Sequence, residues 1–251
     1  MSPAGLLLLA VAFAFPNEQG TRLLVTAEIA TPEIFRTALC AGGQQVSVQF
    51  ERKQAEGRNT TSRQAPQNFA QTAGAVFQIV GGGALSAGAT CVLAEESFVA
   101  GATVVPLTRP PSDARCSKAT YPQIQVDKGR PVVGCWPVAA SASGIQVAII
   151  EFSRHLTQAL ASLVVIDGGH RIYVDYPATF KGPGDDLWRV DDGGNIHAEG
   201  FGVVFLLKRG TTYVLAIDWA GAEGNALSLH VAEGGGQFKE MITDSWYRSP
   251  F

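Results

Sequence analysis

The sequence predicts a mainly β protein with minor helices, an α+β chain of antiparallel, sandwich-like sheets that ends in a hairpin and a meander. Three observations carry this. Short apolar segments recur along the chain, and several alternate with period two, as half-buried strands do. Glycine supplies 28 of 251 residues, and its clusters Gly81-Gly82-Gly83, Gly168-Gly169, Gly193-Gly194 and Gly234-Gly235-Gly236 punctuate those segments as turns would. Apolar residues make up 46% and charged residues only 16%, enough for a sizeable core and too little charge for a disordered chain.

The first element is a ten-residue apolar run, Leu6 to Phe15, followed at once by polar Pro16-Asn17-Glu18-Gln19-Gly20. It is too short to span a bilayer as helix, which takes roughly 20 residues. Its Ala12-Phe13-Ala14 suits a signal peptidase, so residues 1–14 read as a signal peptide, with a retained, buried first strand or helix as the alternative. Residues 15–136 then form a disulfide-containing β-rich part. Residues 137–251 form an α+β part with the meander, in one continuous domain or two.

Arg22 to Ile29 reads as a strand. Thr31-Pro32-Glu33 has the cap, proline and acid of a helix start, with Ile34, Phe35, Ala38 and Leu39 to pack and Gly42-Gly43 to end it. Val46 to Phe50 alternates, so it is a strand with one buried face. Glu51 to Gln71 is a polar loop containing the glycosylation acceptor Asn59-Thr60-Thr61. Val76 to Val80, Thr90 to Ala94 and Phe98 to Leu107 are further strands, and Lys118 to Trp136 reads as two short extended pieces.

From Ile145 to Val165 the apolar spacing fits a helix while the β-branched ends fit strands, giving strand, short helix, strand. Asp167-Gly168-Gly169-His170 then turns into Arg171 to Tyr176, the strongest hairpin signal. Gly202 to Lys208, Thr212 to Trp219 and Ala226 to Val231 form the meander. In its middle strand Tyr213, Leu215, Ile217 and Trp219 share one face. Phe238, Met241, Ile242 and Trp246 read as a last short helix.

Cys40, Cys91, Cys116 and Cys135 are even in number and contain no C-x-x-C, which favours two disulfides over a zinc site. Three pairings exist. The local one, Cys40 with Cys91 and Cys116 with Cys135, closes the shorter loops. With the apolar leader, this points to a secreted or periplasmic protein without a stable membrane anchor.

A net charge of −3 supplies no field for gathering nucleic acid, and no cofactor motif is present, so neither partner is expected. The leading expectation is a non-enzymatic binding or structural protein for a protein, peptide or carbohydrate, with Tyr173, Tyr176 and Trp188 as ligand-binding rings. A secreted serine hydrolase, esterase or peptidase, is the alternative. Ala84-Leu85-Ser86-Ala87-Gly88 is one residue from the G-x-S-x-G elbow, with Asp175 and either His197 or His230 following in the correct order.

No metal site is expected. Glu151 and His155 lack the H-E-x-x-H context, and Asp185, Asp186, Asp191 and Asp192 offer calcium only loose oxygen ligands without the EF-hand order. His230, opposite Leu227, Leu229 and Val231, is expected at the surface.

Overall fold

The computed structural model describes residues 11–179, 196–221 and 223–248. β1 (Val11–Pro16), β2 (Arg22–Val25), β3 (Phe35–Cys40), β4 (Gln44–Gln54), β5 (Gly74–Gly81) and β6 (Cys91–Glu95) close into a barrel in the order β1-β2-β5-β4-β3-β6. Leu23, Phe35, Val48, Phe77 and Leu93 fill its interior together with Cys40 and Cys91, which face each other in the β3–β6 register and form a disulfide. Closure leaves these short strands few unpaired edges, which would otherwise invite pairing with other chains.

A helical turn, α1 (Glu96–Val99), leads out of the barrel to β7 (Thr103–Val104), and α2 (Tyr121–Lys128) follows. β8 (Val132–Ala140), β9 (Gln146–Phe152), β10 (Gln158–Asp167) and β11 (His170–Thr179) form a four-stranded antiparallel sheet. β12 (Phe201–Arg209), β13 (Thr212–Ala220), β14 (Gly224–Glu233) and β15 (Lys239–Tyr247) form the meander, with β7 added at the far edge of β12.

The meander sheet is the middle layer. Tyr213, Leu215 and Ile217, the face expected from the sequence, pack against Ile149, Leu163 and Val165 of the four-stranded sheet and make a sandwich. Phe205, Val214, Ala216 and Leu229 pack the opposite way, against Phe13, Phe15, Leu24 and Val92 on the outside of the barrel. Ile124 of α2 lies on the outer side of the four-stranded sheet among Ile150, Phe152, Val164 and Tyr173. Strands covered on both faces need apolar residues at every position rather than every second one.

Several expectations are corrected by the structure. The helix after Thr31 is only a 3-10 turn, Pro32–Ile34, before β3. A bulge at Arg36 shifts the β3–β6 register, so Phe35 and Ala38 both reach the barrel interior and imitate helical spacing. No helix interrupts β9 and β10; they meet in a tight turn where His155 pairs with Gln158 and Leu156 takes φ 52°. Phe238 to Trp246 enters a strand, β15, rather than a helix.

Lys118 to Trp136, expected to be extended, contains α2, which Gly129 ends in the left-handed conformation at φ 61°. Phe98 to Leu107 holds α1 and the two-residue β7 instead of one long strand. Pro137 lies inside β8, and the change of architecture falls at α1. His230 is buried, 3% exposed, because the face of the sheet opposite Leu229 is covered too.

Val11–Pro16 is an integral barrel strand. Val11 to Ala14 pair with Ala94 to Cys91 of β6, and Phe13 and Ala14 are buried. A cut between Ala14 and Phe15 would remove the residues that make this pairing.

Candidate functional site

The residues singled out from the sequence do not converge. Ser86 is exposed in the β5–β6 loop, which returns directly to a strand and offers no helix N-terminus for an elbow. Asp175, on β11, accepts two bonds from Lys128 Nζ at 2.7 and 2.8 Å and one from Ser162 Oγ at 2.5 Å. His230 Nε2 lies 2.8 Å from Ser228 Oγ, with its ring against Phe238. His197 is exposed before β12. Among the described residues no hydrogen bond joins Ser86, Asp175 and either histidine.

Tyr173 and Tyr176 stand three apart on β11 and so point to opposite faces. Tyr173 is 3% exposed beneath α2, donates to Asp127 Oδ2 at 2.6 Å and carries Lys128 Nζ 4.0 Å from its ring centroid. Burial, then the Asp127 carboxylate, pushes its hydroxyl pKa far upward. Tyr176 sits instead in the sandwich with Phe201 and Trp219. Trp188, Asp185, Asp186, Asp191 and Asp192 lie outside the described residues. Asn59 is exposed.

The cluster under α2 has nucleophile-like members, Ser162 beside Asp175 and Lys128. Ser162 is fully buried, and Lys128 is only 9% exposed. Asp175 keeps 30% of its side chain exposed, and the bonds among the three tie α2 to the sheet.

A different place has the form of a binding site. In an antiparallel meander alternate hairpin turns emerge at the same end, so the β12–β13 turn at Gly210-Thr211 lies beside the β14–β15 connection at Gly234-Gly235-Gly236. The Gly168-Gly169 turn of β10–β11 joins them from the facing sheet. Gly236 O accepts from Tyr173 N, and Phe238 N donates to Tyr173 O, so the glycine connection runs along the edge of β11 and links the two sheets.

Between these three turns lies a pocket of 230 Å³ lined by His170, Arg171, Lys208, Thr211, Tyr213 and Gly234 to Gly236. Carboxylates beside it hold its cations. Asp167 Oδ2 accepts from Lys208 Nζ at 2.5 Å and from Tyr213 OH at 2.6 Å. Asp127 accepts from Arg171 Nε at 2.6 Å and from Tyr173 OH.

Lys208 and Tyr213 hold the Asp167 carboxyl below the ordinary carboxylate range, and Arg171 does the same for Asp127. Both acids therefore stay ionised at neutral pH and keep their charge-assisted bonds to the two cations. The glycines leave the mouth open: a Cβ at Gly235 would meet nothing nearer than Gln237 N at 4.0 Å.

In the sequence Gly234 to Gly236 reads as a turn and Lys208 as the end of a strand, with nothing local to join them. Strand parity was the available signal, since it assigns alternate turns to one end. What it lacked was the facing sheet that brings Arg171 and His170 across. No family model, no curated protein and no solved structure matches the chain.

Proposed function

We propose that this chain is an exported, non-enzymatic binding protein whose ligand seats among the β10–β11, β12–β13 and β14–β15 turns. The observation that carries the reading is the pocket itself. Three turns from two sheets converge there, donor side chains are held in place by neighbouring carboxylates, and the glycine wall has no side chain to fill the space. Loops carried on a rigid sandwich are the usual position for recognition. Export is supported by both disulfides, Cys40–Cys91 and Cys116–Cys135, which persist in oxidising compartments. Among the described residues no helix is long and apolar enough to cross a membrane. Any processing that accompanies export leaves β1 whole.

The test is backbone-amide NMR with a panel of simple sugars and short peptides, neutral and acidic. A binder is expected to shift His170, Gly210, Thr211 and Gly234 to Gly236 together. Gly235→Leu, whose Cβ would meet nothing nearer than Gln237 N at 4.0 Å, is expected to abolish those shifts at unchanged melting temperature. Shifts clustered elsewhere, or shifts that survive in Gly235→Leu, would overturn the assignment.

A further inference from the structure

The pocket is rich in donors. Its side-chain lining includes three basic groups, His170, Arg171 and Lys208, and no acidic one, in a chain whose net charge is −3. Asp167 and Asp127 take only part of what the cations offer, since an ammonium carries three N–H groups and a guanidinium five. Among the described residues no acceptor takes the backbone N–H of Gly235 or Gly236. Three nearby carbonyls already accept one bond each: Gly236 O from Tyr173 N, Gly169 O from Arg171 and Thr211 O from Gly234 N.

A neutral sugar or an amide brings protons of its own and matches fewer of these N–H groups. A carboxylate, sulfate or phosphate has only acceptors to offer and complements the site. Resting on the binding reading above, we infer that this pocket recognises an oxyanion carried on a molecule about the size of one sugar ring, with Lys208 and Arg171 as its charged contacts.

The experiment titrates the full chain with glucuronate, glucose and inorganic phosphate while following the same turn amides. Glucuronate and glucose share a ring and differ in the carboxylate, so charge is tested at nearly constant size. Glucuronate is expected to bind, phosphate to displace it, and glucose to leave the amides unmoved. Lys208→Gln keeps a donor for Asp167 and removes the charge; it is expected to weaken glucuronate at least tenfold.

Glucose binding as tightly as glucuronate would overturn the oxyanion inference while leaving the pocket assignment intact. Anion shifts that persist in Gly235→Leu would overturn the inference by assigning them to dispersed surface charge. Silence from all three probes, with a neutral sugar or peptide still shifting these turns, would overturn it alone. Silence from every compound would overturn both readings.

Discussion

His230 shows how much a single residue depends on its covering layer. Its imidazole is closed in by the sandwich, and burial lowers its pKa from 6.5 to about 4. Between those values the unfolded chain binds a proton that the folded chain refuses. Stability therefore rises with pH across this window, is fully present above about 6.5 and bottoms out below about 4. The size is about 3 kcal/mol by linkage. The carboxyls of Asp127 and Asp167 are held low, so their contribution is lost only as pH falls through and below the ordinary carboxylate range. The windows separate. Urea denaturation is expected to give a clearly lower unfolding free energy at pH 4.5 than at pH 7. His230→Gln, which retains a partner for Ser228, is expected to flatten that difference; an unchanged slope in the variant would refute the account.

At the scale of elements, α2 is the piece least able to stand alone. Eight residues are too few for an independent helix. It is held by the Cys116–Cys135 bridge, the buried Ile124, the Lys128–Asp175 ion pair and the bond from Val132 N to Gln125 Oε1. Closing a 19-residue separation is worth about 3 kcal/mol on the chain-entropy model. Replacing both cysteines by alanine is expected to cost about that much. Hydrogen exchange is expected to rise around residues 116–130 while the barrel amides remain protected; uniform loss of protection would contradict a local role. The disulfide was legible from spacing alone, but the helix inside it was not, because Tyr121 to Lys128 has hardly any apolar stripe. β3 failed for the opposite reason, its bulge at Arg36 producing a helical spacing within a strand. The β10–β11 hairpin and the meander were readable because turn chemistry and alternation agreed there. Tyr173 and Tyr176 misled the site reading: aromatic residues advertised a surface, yet each fills a different side of one sheet.

For the whole molecule, the order barrel, middle sheet, outer sheet makes β1 a keystone despite its terminal position. Phe13 and Phe15 face the middle sheet, where both make edge contacts with Trp246, while Ala14 faces the barrel interior. Losing Val11 to Ala14 would strip β6 of a neighbour, open the barrel and uncover Phe205 and Leu229 on the next layer. Removing a buried Phe side chain alone typically costs about 3–5 kcal/mol, against a total stability of about 5–15 kcal/mol. Two trimmed chains separate the possibilities. A protein starting at Val11 is expected to melt cooperatively; one starting at Phe15 is expected to bind a hydrophobic dye and lose its sharp transition. If the chain is exported and processed, the first residue of the mature product is then expected at or before Val11, because a cut after Ala14 would remove the residues that pair with β6 and close the barrel. N-terminal sequencing of the exported protein decides this, and a folded product beginning at Phe15 would show that the barrel closes without β1.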